Sequence, residues 1–320
     1  MNYAKAEAKQ AARATFEGLW AATTTPFDAE GRMDLDALTG DVAHLVDDLE
    51  VEGIFCTGVM SEFWALSVSE RRRQVQAVTA AARGHCPVIA HTGHHSLTET
   101  VDLTRQAEAA GADFAVVVRP YYPVGSDAGI YAFYAELCRA TDIGVWIFDT
   151  SYAGPPLALD LVDRLADIES ICGIKVGHPQ SHYLDVLRRV GDRILVCSPN
   201  ESEWLANMRD HGQRVFMSSA APYLYQTARW RPMRDYTRAA LADDMEKATE
   251  IAATLAPVRA VADRWLHGRW NRERANPLPW LKAWAGLLGM SGGPVRPPLA
   301  QVPAEDVAAL AADLEAVGLA

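Results

Sequence analysis

Residues 87–120 read PVIAHTGHHSLTETVDLTRQAEAAGADFAVVVRP. Two short apolar runs, at 87–93 and 114–120, flank a stretch at 97–111 whose apolar residues recur with helical spacing. Neither run alternates between apolar and polar residues, which is typical of a strand buried on both faces of a parallel sheet. The stretch therefore predicts a strand, a helix and a second strand parallel to the first.

The same alternation extends over most of the chain. Amphipathic stretches at 35–50, 69–83, 97–111 and 128–141 separate the apolar runs, and Gly, Pro, Asp or Ser marks most junctions. The predicted strands are 18–27, 53–58, 87–93, 114–120, 143–149, 170–176, 193–199 and 214–220. An open doubly wound sheet and a closed (β/α)8 barrel both fit this alternation. No GxGxxG motif follows the first strand and the spacing is barrel-like, so we predict an α/β fold with a TIM barrel at 18–225.

The flanking segments are predicted to extend the barrel. Residues 1–17 are alanine-rich and basic, which favours a short N-terminal helical extension. Residues 226–320 contain helical stretches at 243–265 and 305–317, so we predict a C-terminal helical extension of the same domain. Four tryptophans in this region fit either a core or a subunit interface: Trp265, Trp270, Trp280 and Trp284.

Composition excludes several classes of partner. The 320 residues carry 30 Lys and Arg against 41 Asp and Glu, a net charge of −11, which disfavours nucleic acid and anionic membranes. No apolar stretch long enough to cross a membrane and no secretory signal is visible, so we expect a cytoplasmic enzyme. The cysteines are scattered without a CxxC motif, which predicts buried thiols in a reducing compartment: Cys56, Cys86, Cys138, Cys172 and Cys197.

One lysine lies near the end of a strand that is otherwise apolar. The run SICGIKVG at 170–177 contains Lys175, and a buried ammonium tends to lose its proton and become a nucleophile for carbonyl groups. The alternative is a lysine whose charged end reaches water. Functional groups of a TIM barrel gather at the carboxyl ends of its strands. Lys175 is the only lysine at the predicted strand ends. Other candidates at these ends are Thr24, Thr25, His91, His94, His95, His178, Asn200, Glu201 and Met217 to Ser219.

Several segments together resemble one enzyme family. They are AATTTPF at 21–27, GVMSEFWALSVSER at 58–71, RPYYPVGSDAGIYAFY at 119–134, GIKVG at 173–177 and NPLPWLKAWAGLLGMSGGPVRPPL at 276–299. In order and spacing, over about residues 18–300, they resemble the dihydrodipicolinate synthase / N-acetylneuraminate lyase family of class I aldolases and dehydratases. The resemblance implies that Lys175 forms a Schiff base with a 2-oxo acid, that no metal or organic cofactor is used, and that the chain forms a homo-oligomer, a tetramer or a dimer.

The segment after the second predicted strand departs from that family. Val59 and Met60 stand where the family has two threonines that help to hold the substrate carboxylate. We expect the backbone N–H groups of Met60 and Ser61, and the Ser61 hydroxyl, to bind the carboxylate instead. Ser61 is equally compatible with a plain turn residue. Glu62 is named with the substrate-binding residues, and we expect it to hold this loop through backbone hydrogen bonds.

The end of the fifth predicted strand departs as well. Phe148 takes the place of the family's catalytic tyrosine and cannot relay a proton. We therefore name Tyr152 and Tyr122 as catalytic candidates, and Tyr121, Phe148 and Met217 as substrate-binding residues; the tyrosines at 121 and 122 also fit packing or subunit contacts. The neighbouring Asp149 fits an acid or base, but also a helix cap or a solvated charge.

These departures bear on the substrate. SYAGPP at 151–156 lacks the arginine that synthase members use for a second carboxylate, which disfavours a dicarboxylic substrate. Phe63 and Trp64 replace small residues, which indicates a more apolar or differently shaped substrate. We favour a lyase that dehydrates a sugar-acid-type 2-oxo acid or cleaves it by a retro-aldol step. One alternative is a sensor that binds a 2-oxo acid without turnover, and another is a metal-dependent hydrolase that uses the histidines.

Overall fold

The computed structural model describes residues 2–123, 125–217, 220–273 and 275–319, apart from the side chains of Trp270 and Asn271. Within them, eight parallel strands form one sheet with the order β8-β1-β2-β3-β4-β5-β6-β7. The strands are β1 (Gly18–Ala22), β2 (Gly53–Cys56), β3 (Val88–His91), β4 (Phe114–Val118), β5 (Gly144–Thr150), β6 (Ile171–Gly177), β7 (Leu195–Cys197) and β8 (Val215–Met217). Strands β7 and β8 lie against each other, so the barrel is nearly closed. The predicted TIM barrel is confirmed.

Helices alternate with the strands around the barrel. They are α1 (Ala8–Thr15), α2 (Leu35–Ala43), α3 (Val68–Ala82), α4 (Leu97–Ala110), α5 (Asp127–Ala140), α6 (Leu159–Ala166), α7 (Gln180–Val190) and α8 (Glu201–His211). The chain continues through α9 (Ala221–Leu224), α10 (Pro232–Leu241), α11 (Met245–Ala253), α12 (Ala256–Ala262), α13 (Gly268–Glu273), α14 (Leu278–Leu287) and α15 (Ala304–Ala316).

Local signals in the sequence explain where helices begin and end. Ser67 caps α3 by accepting from the Glu70 N–H, and the Glu70 carboxylate accepts from the Ser67 N–H, which forms a reciprocal capping box. Ser96 caps α4 in the same way, by accepting from the Glu99 N–H. Helix α4 ends at Gly111, whose φ of 96° is a left-handed conformation that glycine adopts without strain.

The strands begin close to the predicted positions but several end earlier. β1 ends at Ala22, five residues before the predicted end, and residues 23–27 form a loop. The run at 193–199 contributes only Leu195–Cys197 to the sheet. Of the predicted strand at 214–220, Val215–Met217 forms β8, while Ser218 and Ser219 lie outside the described residues. Short strands leave more residues for the loops at the carboxyl end of the barrel, where a site forms.

Aromatic side chains fill the amino end of the barrel. Phe16, which follows α1, stacks on Trp20 with ring centroids 4.3 Å apart and contacts Trp146 at 4.5 Å. The two indoles lie directly over Gly53 and Gly173, where a Cβ atom would overlap the rings. This plug closes the amino end, so open space inside the barrel is left at the carboxyl end.

The C-terminal helices pack on the barrel. Helix α10 contacts β1 and α8, and α14 contacts α9 and α15. Trp265 and Trp284 are buried in the same hydrophobic cluster as Leu19 of β1. Trp280 is partly buried against this cluster, while the Trp270 side chain lies outside the described residues.

No helix among the described residues is both long and apolar enough to span a bilayer.

The five cysteines are free thiols. Cys86 is partly exposed and the other four are buried.

Candidate active site

Lys175 lies on β6 near its carboxyl end, inside the mouth of the barrel. Its side chain is almost fully buried, and Nζ lies 4.7 Å from the Phe55 ring centroid and 4.9 Å from the Phe148 centroid. Burial lowers the pKa of the Lys175 ammonium to about 8, despite an opposing effect of Cys197. At pH 7 about a tenth of the amine is therefore neutral and nucleophilic.

A cavity of about 400 Å³ opens beside Lys175. Its inner wall is apolar and includes Ala22, Phe55, Val59, Met60 and Phe148. The lining also includes polar residues: Ser198 after β7, Asn200 and Glu201 at the start of α8, and His178 after β6. The cavity thus combines a desolvated amine with polar groups that can bind a hydroxylated chain.

A smaller cavity of about 240 Å³ adjoins the first. The two share Val59, Phe148, Thr150 and Tyr152 in their walls. Three of the six remaining lining residues are aromatic: Phe63, Trp64 and Tyr121. The residues at 63 and 64, singled out in the sequence, therefore shape this second cavity.

The Ser61 hydroxyl holds two loops together and does not line either cavity. Ser61 is fully buried, and its Oγ donates to the Thr23 carbonyl at 2.6 Å. Thr25 Oγ1 in turn donates to the Ser61 carbonyl at 2.6 Å, and the Ser61 N–H donates to the Gly58 carbonyl at 3.1 Å. Because these groups are used within the protein, the geometry does not support Ser61 as a carboxylate donor. Met60 does line the main cavity.

Glu62 holds the C-terminal segment rather than a substrate. Its side chain is fully buried, and its backbone has a left-handed conformation with φ 54°. The carboxylate accepts from Lys282 Nζ at 3.1 Å and from the Arg296 N–H at 2.9 Å. Glu62 lines neither cavity, so its contribution to substrate binding is indirect. The ion pair joins the loop after β2 to helix α14.

The tyrosine candidates are placed differently from one another. Tyr152 lies in the walls of both cavities, and Tyr121 lines the smaller one. Tyr121 is partly buried and Tyr152 is about half exposed; partial desolvation raises the pKa of both phenols, so each is protonated near neutral pH. Tyr122 is 76% exposed and lines neither cavity. Tyr152 therefore remains a catalytic candidate, because it lines the cavity beside Lys175. Tyr122 lies outside both cavities.

Met217 also lies away from the cavities. It is the last residue of β8, is fully buried and pairs in register with Trp20. Its expected contact with substrate is not supported, because an inward-pointing residue so close to the aromatic plug belongs to the barrel core.

The histidines considered as metal ligands do not converge. His91 is buried, with Nδ1 3.1 Å from the Thr57 carbonyl, and burial together with Arg71 lowers its pKa well below the ordinary value. His94 and His95 stack on each other with centroids 4.0 Å apart. Among the residues that the structure describes, no group of three His, Cys, Asp or Glu side chains is arranged to hold a metal ion.

Asp149 and two histidines form a buried cluster next to the cavity. Asp149 Oδ1 lies 3.0 Å from His178 Nε2, and Oδ2 lies 3.3 Å from His182 Nε2. Asp149 is fully buried within β5, so it is neither a cap nor a solvated charge. Sequence reasoning missed His182, which lies in the first turn of α7, four positions after His178.

Comparisons with known proteins agree with this geometry. The Dihydrodipicolinate synthetase family matches residues 15–317. The chain belongs to this family. The family resemblance that the sequence motifs indicated is thereby confirmed. Members of the dihydrodipicolinate synthetase family are lyases of the class I aldolase type, whose lysine forms a Schiff base with a small-molecule substrate.

Two relatives illustrate the sequence identity between this chain and members of the family. A DapA-like lyase of Halobacterium salinarum is 32% identical, over 92% of both chains. A 4-hydroxy-tetrahydrodipicolinate synthase of Methanosarcina mazei is 29% identical, over 95% of this chain and 99% of the relative.

Solved structures share the fold. An Escherichia coli K12 prophage protein of the dihydrodipicolinic acid synthase family, in complex with pyruvate, has a TM-score of 0.83 at 23% identity, over 95% of this chain and 99% of that one. The Proteus mirabilis N-acetylneuraminate lyase has a TM-score of 0.80 at 19% identity, over 96% and 100%.

Proposed function

We propose that this protein is a Schiff-base-forming lyase that acts on a 2-oxo acid through Lys175. The observation that carries the proposal is the Lys175 amine, buried between the rings of Phe55 and Phe148 with its pKa lowered to about 8. It lies in the wall of a cavity large enough for a small acid. The fold of a relative that was solved with pyruvate also supports a 2-oxo acid.

The first steps follow from the chemistry of the amine. Neutral Nζ attacks the ketone carbon, and loss of water gives an iminium ion. The iminium withdraws electrons from C3, so it promotes loss of a C3 proton or cleavage of the bond between C3 and C4. No metal or organic cofactor takes part in these steps. Met60 lines the cavity, and we expect its backbone N–H to bind the substrate carboxylate.

Polar residues in the cavity lining support a hydroxylated substrate. Ser198 and Asn200 line the cavity. Ser198 Oγ accepts from the Asn200 N–H and Asn200 Oδ1 accepts from Ser202, so the Ser198 O–H and an Asn200 amide N–H are left to donate to hydroxyl groups of a sugar-acid chain. SYAGPP supplies no arginine for a second carboxylate. We therefore favour dehydration or retro-aldol cleavage of a 2-oxo-3-deoxy sugar acid over the synthase reaction of some relatives. Tyr152 remains a catalytic candidate in this cavity.

The assembly and compartment are part of the same proposal. We place the chain in the cytoplasm as a homo-oligomer, a dimer or a tetramer. The strongly exposed Tyr122 ring fits a subunit contact, since an exposed tyrosine combines apolar area with a hydrogen-bonding end.

Borohydride trapping tests the proposal directly. The protein is incubated with pyruvate or with a panel of 2-oxo-3-deoxy sugar acids, reduced, and examined by intact and peptide mass spectrometry. We expect an adduct on the peptide that contains Lys175 and none in Lys175→Ala. Folded protein that gives no adduct with any of these acids would contradict the proposal.

A non-catalytic sensor is the second candidate, because Phe148 lacks the phenol of a proton relay. It predicts an adduct with pyruvate but no product from any sugar acid in the panel. Product formation at a rate that depends on Lys175 excludes it.

A further inference from the structure

A buried carboxylate and two imidazoles lie next to the Lys175 cavity, which His178 lines, and Schiff-base formation does not require them. The Leu157 N–H donates to Asp149 Oδ2 at 3.2 Å, in addition to the two imidazole contacts. Burial alone would raise the pKa of Asp149, but the hydrogen bonds from His178 and His182 hold it below its ordinary value. The carboxylate is therefore ionised at neutral pH and orients both rings.

The contact with Asp149 selects one tautomer of His178. An ionised carboxylate accepts a hydrogen bond from Nε2–H, which leaves the lone pair of the neutral ring on Nδ1. Nδ1 makes no hydrogen bond to the part of the chain that the structure describes. His178 lines the Lys175 cavity, whereas Asp149 does not and contacts His178 through Nε2. A carboxylate that orients an imidazole from behind is an arrangement suited to general-base catalysis.

The chemistry at the iminium needs such a group. Phe148 has no proton to exchange, and the raised pKa of Tyr152 makes its phenolate scarce at neutral pH. An imidazole can both accept and donate a proton, which the Phe148 ring cannot do.

We propose that His178 is the general acid–base that moves the C3 proton, and that Asp149 is its positioning residue. This inference rests on the proposed Schiff base at Lys175. The C3–H bond breaks and the proton goes to His178 Nδ1. The electron pair of that bond forms a C2–C3 double bond, while the π pair of the iminium moves to Nζ. The products are a neutral enamine and an imidazolium paired with the Asp149 carboxylate, and the reverse step returns the proton.

Exchange of pyruvate hydrogens for deuterium isolates this step. The protein is incubated with pyruvate in D2O, the C3 signal is followed by proton NMR, and the same samples are trapped with borohydride. Wild type is expected to give both the adduct and exchange. His178→Asn is expected to keep the adduct while exchange falls by about 100-fold or more. His85→Asn, which changes an exposed histidine, is expected to match wild type.

Chemical rescue distinguishes catalysis from packing. In His178→Ala, added imidazole is expected to restore part of the exchange, because the truncated side chain enlarges a cavity that already adjoins Lys175. A purely structural histidine would show no such rescue. Thermal unfolding checks each variant, and His178→Gln replaces His178→Asn if the latter does not fold.

The role of Asp149 is tested by the rate of exchange at saturating pyruvate in two variants. Asp149→Asn is expected to keep the adduct and to slow exchange at least about 10-fold, because an amide can also donate to the ring and no longer selects the tautomer that leaves Nδ1 free to accept a proton. Asp149→Glu is expected to recover part of the rate. The other titratable or charged groups around His178 are unchanged in this comparison: His182, Lys175, Tyr152, Glu201, Arg259 and His267.

The two proposals fail in different ways. If His178→Asn forms the adduct and exchanges deuterium at the wild-type rate, the proposed role of His178 is wrong. Absence of the adduct in folded wild type contradicts the Schiff base itself.

Discussion

Phe148 and Lys175 are register partners on the adjacent strands β5 and β6, and the ammonium nitrogen lies 4.9 Å from the centre of the ring. A phenyl ring here removes water from the amine without offering a hydrogen bond. The same residue that disables a tyrosine-based relay therefore helps to lower the pKa of the lysine.

Truncation of this ring should change the pH dependence of Schiff-base formation. In Phe148→Ala, water reaches Nζ and the pKa of Lys175 rises from about 8 towards 10.5. The neutral fraction at pH 7 falls, so the rate of borohydride trapping with pyruvate falls and its midpoint moves to higher pH. Phe133→Ala is the control, because Phe133 is buried in a different cluster of the core. An unchanged midpoint in Phe148→Ala would show that the ring does not desolvate the amine.

Lys175 should lower the free energy of unfolding at pH values below the pKa that its ammonium has in the folded protein. The folded pKa of about 8 lies below the ordinary 10.5, so the unfolded chain binds the proton more strongly. The resulting cost of about 3 kcal/mol is fully present below pH 8 and disappears as the pH rises to 10.5. Lys175→Met is therefore expected to be more stable than wild type at pH 7. Urea unfolding between pH 7 and 10 measures the difference, which should shrink with pH; a constant difference contradicts the assignment.

Removal of one partner from the buried ion pair between Glu62 and Lys282 should destabilise the protein. Both side chains are fully buried. Lys282→Met leaves a buried carboxylate without its cation and is expected to lower the free energy of unfolding by about 3–5 kcal/mol. The double variant with Glu62→Gln is expected to lose less than the sum of the single variants, as a double-mutant cycle will show. Arg139→Ala breaks the exposed pair with Glu136 and should cost below about 1 kcal/mol.

The glycines under the aromatic plug should not tolerate a methyl group. In Gly173→Ala the new Cβ overlaps the Trp146 ring, and the strands on both sides prevent retreat. We expect a loss of roughly 1–3 kcal/mol or more in the free energy of unfolding. Gly40→Ala is the matched control: Gly40 lies within α2 with no atom near the added Cβ, so alanine should stabilise the helix by about 0.5–1 kcal/mol. Equal effects at the two positions would argue against the plug.

Much of the candidate site was visible in the sequence because barrel geometry places strand ends together. Lys175 and Phe148 were named near the ends of predicted strands and Met60 and Tyr152 after them, and all four line the main cavity. Ser61 and Met217 were named by the same reasoning but point elsewhere. Position after a strand does not decide which way a side chain turns, since that depends on the hydrogen-bonding partners supplied by other loops.

The sequence by itself determined the parallel barrel and the lysine within it. Uninterrupted apolar runs, helical spacing and capping residues are local properties, and each strand–helix unit repeats them. Only the tertiary structure decided that Asp149 is buried against His178 and His182, and that Glu62 pairs with Lys282, more than 200 positions away. These residues come into contact only when segments distant in sequence pack together, so no local sequence pattern predicts the contact. The proton chemistry proposed here therefore depends on a contact that folding alone creates.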